Sequence, residues 1–291
     1  MIPEIFTSDA VNNRIQIFNL DGTFERKWGT TGAGNGQFNS LSGVFATKTE
    51  VIAADRQNNR IQVFDYDGTF KRKWKTVWQA PNTAGAPYGV MQRGSEIFIA
   101  DTSSHEIQVY DLNGTLKRRW GSYGSGDGQF SEVRGLAALG SEIYTLDLTR
   151  YRVQVFTPAG VFKRKWGSFG SGDGQFYNPN AIAIYKKEVY IADGTNHRIQ
   201  VLDINGVFKR KWGSSGTGNG YFNYPWGIEV YLDEVFVSDR WNYRIQVFDL
   251  NGVFKRKWGS YGTGNSQFKD PGHLHIPKGV KIQYLPIMGI G

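Results

Sequence analysis

The chain contains no cysteine. Disulfides and thiolate-held metal are therefore excluded, and the composition fits a reducing compartment. No apolar run approaches the roughly 20 residues that a membrane-spanning helix needs. The first residues, Met1-Ile2-Pro3-Glu4-Ile5-Phe6, enter an extended apolar pattern at once and leave no room for a secretion signal. Together these features predict a cytoplasmic chain with no membrane insertion. Histidine is scarce, with only His105, His197, His273 and His275. Helical periodicity is missing as well. Apolar residues fall instead in short runs rich in β-branched and aromatic side chains, which reads as strand throughout.

What is present in quantity is repetition. Arg14-Ile15-Gln16-Ile17-Phe18 returns at residues 60, 106, 152, 198 and 244, each copy 46 residues after the last, without insertion or deletion. A period in the forties with several short strands per unit predicts an all-β six-bladed β-propeller. Residues 181–213 show one unit. Ala181-Ile182-Ala183-Ile184 is strand a, Glu188 to Asp193 strand b, Arg198 to Leu202 strand c, and Val207 to Trp212 strand d. Asn205-Gly206 marks the c–d hairpin.

Charge follows the same period. Each unit carries a basic triplet such as Lys117-Arg118-Arg119 or Lys163-Arg164-Lys165, with Glu25-Arg26-Lys27 in the first. These segments hold 17 of the 34 basic residues, and without them the net charge falls by 17, from +8 to −9. Strand a is nearly uncharged and should line the crowded axis. Strand d alternates Phe, Arg and Trp with Lys, so it should form a half-solvated outer edge whose triplets make a protective belt. The chain enters at a strand b and leaves after a sixth strand a, Gly272-His273-Leu274-His275-Ile276. One blade should thus combine strands b to d from the N-terminus with strand a from the C-terminus. The expectation is one domain over 1–291, with 277–291 as a tail whose Val280-Lys281-Ile282-Gln283-Tyr284 could pair further, and a monomer.

Asn196-His197-Arg198 before Ile199-Gln200-Val201, with Ile191-Ala192-Asp193 upstream, resembles the NHL repeat. So does Gly172-Asp173-Gly174-Gln175-Phe176 leading into strand a. The likeness covers nearly all of residues 4–276. It implies a six-bladed ring with strand a innermost. It also implies a range of functions: RNA- or protein-binding domains, sensor domains, and related lyases that place several histidines around the axis.

Repeating positions are expected to be structural and departures from the repeat functional. The d–a loops and b–c turns should share one face, the top. At its channel mouth the register 42, 88, 134, 180, 226 and 272 reads Ser42, Tyr88, Arg134, Asn180, Trp226 and Gly272. Beyond the six repeated tryptophans, Trp78, Trp226 and Trp241 all fall in top loops. Arg56, Arg150, Tyr151, Arg240 and Tyr243 join them. Aromatic and arginine side chains anchor binding surfaces, and aromatics also stack on bases. The repeated Asp9, Asp55, Asp101, Asp147, Asp193 and Asp239 should close the b–c turns by pairing with the strand c arginine. Glu106 replaces that arginine once, which leaves Asp101, His105 and Glu106 as a candidate metal cluster. His275 and Glu229, at equivalent strand a positions of adjacent units, are candidate catalytic groups in the channel. The Gly-rich d–a loops read as tight turns; Thr76-Val77-Trp78-Gln79-Ala80-Pro81-Asn82 is the one that breaks the pattern. The leading expectation is a non-enzymatic module that presents the top face to a protein, peptide or single-stranded RNA, with no cofactor. The alternatives are a metal-dependent lyase or hydrolase with its site in the channel, and a duplicated or designed repeat without an evolved ligand.

Overall fold

The computed structural model describes residues 3–77 and 85–278. Six four-stranded antiparallel sheets form the blades, each in the spatial order a, b, c, d. The six a strands are Leu41–Ala46, Pro87–Arg93, Val133–Leu139, Pro179–Tyr185, Pro225–Tyr231 and Pro271–His275. They surround the axis and approach one another closely. A Cβ added at Gly89 would lie 2.0 Å from the carbonyl oxygen of Arg134, and one at Gly43 2.3 Å from that of Tyr88. Only glycine allows such an approach.

The split blade closes as expected. Its strands b, c and d are Glu4–Asp9, Arg14–Asn19 and Phe24–Trp28, and strand a is Pro271–His275. The closing register is Phe6↔His275, Thr7↔Leu274 and Asp9↔Pro271. Trp78 and the expected tail pairing over 280–284 lie outside the described residues. Among those described, no helix is long and apolar enough to cross a membrane.

Core side chains pack between blades rather than within one sheet. Ile199 and Val201 of one blade share a cluster with Ile228, Val235 and Phe248 of the next. The c–d hairpins form where the Asn-Gly signals fall. In the hairpin from Asp203 to Val207 the glycine has φ +88°, while Asn205 is not in the left-handed region. Asp203 Oδ1 accepts hydrogen bonds from the backbone N–H groups of Asn205 and Val207, at 2.8 and 2.9 Å. A register shift follows between Val201 and Leu202. This is a turn with a glycine bulge, which needs one left-handed residue rather than two. Ala159-Gly160 can therefore serve in the same place.

Strand d alternates as its sequence suggests. Phe208, Arg210 and Trp212 are half-buried, while Lys209 and Lys211 face water. The middle arginine, however, departs from the expected solvated belt. Arg118 makes a two-pronged bond to Glu96 of its own blade, with both contacts at 2.7 Å. It also donates to the Pro158 carbonyl on the next blade's hairpin, at 3.0 and 2.7 Å. Arg26, Arg72, Arg164, Arg210 and Arg256 repeat this link to Tyr66, Leu112, Ile204, Leu250 and Leu20. The cause is the pleat: a period of two turns the central residue of each triplet toward the neighbouring blade. Hydrogen bonds from these arginines hold the carboxyls of Glu50, Glu96 and Glu188 down at about 2.

Candidate functional site: the channel mouth and the well beneath it

The top face is built by one buried device. Asp193 Oδ2 accepts from Arg198 Nε at 2.8 Å and from Asn196 Nδ2 at 2.9 Å, and Asp193 Oδ1 accepts from the Tyr177 N–H at 2.8 Å. The other end of Arg198 donates to the carbonyls of Ser171, Gly172 and Gln175 in the incoming Gly-rich loop. The repeated aspartates thus pin the b–c turn and the d–a loop together, and the glycine loops are ordered turns. Asp9, Asp55 and Asp239 pair with Arg14, Arg60 and Arg244 at 3.1, 2.7 and 2.7 Å, and Asp147 with Arg152 at 3.7 Å. One blade lacks the device. Glu106 stands where the arginine would be, and a carboxylate cannot donate to loop carbonyls. The loop that enters this same blade is the one without the glycine pattern. The two departures in the sequence fall in one blade.

The register at the channel mouth converges as its spacing implies. Ser42, Tyr88, Arg134, Trp226 and Gly272 line a cavity of about 200 Å³, with Arg56 and Arg240 from two b–c turns. Asp55 and Asp239 precede the single 3-10 turns Arg56–Asn58 and Arg240–Asn242, which aim these arginines inward. Arg240 lies 4.0 Å over the Trp226 ring and forms a two-pronged pair with Asp270, at 2.5 and 2.7 Å. Arg134 lies 4.6 Å from the Tyr88 ring and 5.3 Å from Trp226, and pairs with Glu132. Arg56 lies 5.5 Å from Tyr88 and has no acidic partner among the described residues.

Tyr88 and Trp226 are not the exposed anchors their composition suggests. They are 5% and 8% exposed. They come from opposite blades, their rings are 6.3 Å apart, and Arg134 packs against both. Together they plug the channel. Asn180 is buried, donates to the Pro225 carbonyl at 3.3 Å and accepts from Arg134 Nη1 at 3.5 Å, so it braces the plug. Trp241 is the exposed member at 50%, stacked on Tyr224 with ring centres 4.6 Å apart. Tyr151 packs 5.0 Å from Phe169, and Tyr243 4.9 Å from Tyr261. Arg150 is half-buried on its b–c turn and does not reach the mouth cavity.

These pairs expose a group the sequence reading did not single out. Tyr123, Phe169 and Tyr261 are 64%, 59% and 61% exposed at equivalent points of the d–a loops. Each packs against the last residue of a b–c turn: His105, Tyr151 or Tyr243. Their signal was the register 31, 77, 123, 169, 215 and 261, which reads Thr, Val, Tyr, Phe, Ser and Tyr.

Beneath the plug lies a second cavity of about 430 Å³, lined by all six a strands. Glu229 and His275 do meet on its wall, with His275 Nε2 3.9 Å from Glu229 Oε2. His275 Nδ1 accepts from the Ala46 N–H at 3.1 Å, so the ring proton is on Nε2. Burial pushes His275 down to about 3 and His273 to about 4, with Lys278 and Arg134 acting in the same direction. Both imidazoles are neutral at pH 7. Burial raises the Glu229 carboxyl. Asp101, His105 and Glu106 do not converge: Asp101 Oδ1 accepts backbone N–H groups of Ala86 and Ser104, and His105 Nδ1 donates to the Ser131 carbonyl at 2.7 Å. Among the described residues no three His, Cys, Asp or Glu side chains gather closely enough to hold a metal ion.

The NHL repeat family model matches residues 222–248. No curated protein matches the chain in sequence. Solved structures share the fold. One chain of a nidogen/laminin complex superposes with a TM-score of 0.69 at 15% identity, covering 94% of this chain and 98% of its own. A protein of unknown function from Bacteroides caccae gives 0.70 at 13%, covering 96% and 100%. Virginiamycin B lyase from Staphylococcus aureus gives 0.58 at 15%, covering 80% and 73%.

Proposed function

Given an NHL-repeat, six-bladed β-propeller, we propose that the protein is a non-enzymatic binding module that holds a protein or peptide on its top face. The observation that carries this reading is the meeting of Arg56, Tyr88, Arg134, Trp226 and Arg240 in one cavity, although the sequence spreads them over four repeats. None of these residues follows the repeat, so fold maintenance does not require them. Arg134 and Arg240 are held rigid by acids and rings, and rigid guanidinium groups lose little entropy on binding. Arg56, without an acidic partner among the described residues, would receive a carboxylate side chain of the partner. Trp241, stacked on Tyr224 beside this cavity, supplies flat apolar area for the adjoining residues. A protein ligand is favoured over RNA because the exposed cations are separated. The triplet arginines are spent on blade contacts, and Lys165 and Lys211 pair with Asp127 and Asp173. Among the described residues, nothing on the top rim forms the continuous basic track that a phosphate backbone needs. The nidogen/laminin structure, a protein complex that includes the same fold, is consistent with this use.

The test is selection of binders from a random peptide library and from a single-stranded RNA pool against the intact protein. Peptides rich in Asp or Glu are expected to enrich. Arg56→Ala and Trp241→Ala should each weaken the selected peptides by about 1–3 kcal/mol. Val207→Ala, on a c–d hairpin of the opposite face, should not. Enrichment of RNA alone, or equal losses from all three variants, would overturn the reading.

A further inference from the structure

The axial cavity is a well with one closed end. At the top, the Tyr88–Trp226 plug and Arg134 separate it from the mouth cavity. At the other end its lining runs out to Thr47, Lys48, Gly94 and Lys278, at the turns that follow the a strands. Lys48, Gly94 and Lys278 are exposed, so the well opens on the face opposite the top. At about 430 Å³ it lies in the range that holds small ligands.

Its wall is divided. Val44, Val90, Leu136, Ala137, Ile182 and Ala183 make one side apolar and aliphatic. The other side belongs to two adjacent a strands and carries Glu229, His273 and His275. Glu229 is the decisive group. Its Oε1 accepts from the Val230 N–H at 3.1 Å and faces Lys278 Nζ at 3.5 Å. Its Oε2 accepts no hydrogen bond from any described residue, and His275 Nε2 lies 3.9 Å from it. Yet the residue is only 7% exposed. A carboxylate oxygen with open acceptor capacity on the wall of a largely apolar chamber favours a ligand that brings a donor to it. Lys278 answers only in part, because its side chain is 56% exposed at the rim and contacts the other oxygen. Phe45, packed 3.9 Å from the His275 ring, adds an aromatic face on the same wall, which attracts cations.

The geometry points to a binding site for a small primary amine with an aliphatic tail, its ammonium on Glu229 Oε2 and its tail against Val90, Leu136 and Ile182. The head is specified by elimination. Inside the well an anion would meet the Glu229 carboxyl and find both imidazoles neutral, while the lysines of the lining, Lys48 and Lys278, stand at the exposed rim. A neutral hydroxyl would satisfy the oxygen but gain nothing from the charge. An ammonium supplies donors, and its charge counters the burial that raises the Glu229 carboxyl, so the carboxyl is ionised when the ligand is bound. The tail is specified by the opposite wall, where Val90, Leu136, Ala137, Ile182 and Ala183 are apolar and the polar Gln92 turns to the Gly94 carbonyl at the exposed rim. This site is separate from the top face and does not depend on it.

Calorimetric titration of the full chain at pH 7 with n-hexylamine, n-hexanol and hexanoate tests the assignment. The amine should bind best, hexanol at least tenfold more weakly, and hexanoate not measurably. Butylamine should bind more weakly than hexylamine, because it buries less chain. Glu229→Gln should lower hexylamine affinity at least tenfold and abolish its advantage over hexanol. Ala137→Met fills the well from the apolar side; Met91 already occupies the equivalent position of another repeat, so the fold accommodates it. It should abolish binding of hexylamine and hexanol with an unchanged melting curve. Hexanoate binding as well as the amine, hexylamine indifferent to Glu229→Gln, or no binding by any probe at millimolar concentration would each overturn the proposal.

Discussion

Gly160 meets two demands at once. Its φ is +90°, and a Cβ there would lie 2.7 Å from the Trp120 ring of the preceding blade. Gly140 has φ +55° with nothing within 4 Å of a Cβ, so it meets only the first. The pair separates backbone strain from contact. Gly140→Ala should cost roughly 1–2 kcal/mol, the usual penalty for an L-residue in the left-handed region. Gly160→Ala should cost a further 1–3 kcal/mol or so from overpacking. Denaturant midpoints measure both, and equal losses would show that the tryptophan contact carries no weight. The same relation holds at Gly22, Gly68, Gly114, Gly206 and Gly252, each under the tryptophan of the blade before it. The sequence displayed both halves of this contact, the Asn-Gly signals and the repeated tryptophans. Their partnership was hidden because it joins residues about 40 apart through the sheet-to-sheet stacking.

Strand d teaches a related lesson at the scale of the element. Its alternation was legible, since a period of two places Lys on one side and Phe, Arg and Trp on the other. What the arginine reaches was not legible, because its acceptor is a backbone carbonyl, which every residue possesses. The pairing has a pH signature. Glu50, Glu96 and Glu188 titrate at about 2 in the folded protein, against an ordinary value of 4.5. A carboxyl lowered by folding contributes stability that is fully present above 4.5 and is lost as pH falls toward 2. Urea melts should therefore change little between pH 7 and 5 and weaken steadily from about pH 4.5 to 2. Glu96→Gln should lower stability at pH 7 and flatten part of that acid slope. A slope unchanged in the variant would assign acid sensitivity to other carboxyls. The mouth register shows the same division between position and environment. Tyr88 and Trp226 stand three repeats apart, which in a ring of six makes them face each other across the axis. Their place at the mouth could be read from spacing. Their burial could not, because it depends on side-chain length against channel width.

For the molecule as a whole, an unbroken 46-residue period made the fold legible, and the order of strands at the two ends of that period made the closure legible. Deleting residues 270–291 removes strand a of the split blade, together with the ladder from Phe6 to Asp9 and the Asp270 contact to Arg240. The expected loss is at least about 3 kcal/mol, or roughly 6 °C or more in Tm for a domain of this size. An unshifted melting curve would show that the ring does not depend on its closure. The irregular loop was visible in the sequence as well, but not its cause: that Glu106 and the missing glycine pattern belong to one blade emerges only when strand c is seen to grip the loop before it.

That closure also fixes how the ring answers to force. Residues 4 and 275 lie at the same end of the antiparallel pair, next to the Phe6↔His275 contact. Tension applied through them pulls the two strands apart from that end, so the rungs are loaded one after another: Phe6 with His275 first, then Thr7 with Leu274, and Asp9 with Pro271 last. A pair loaded in this way opens at the strength of a single rung. Were the same strands pulled along their length, every rung would resist together. A ring that heat must melt as a unit can thus be unfastened mechanically at one seam, with five blades still intact behind it.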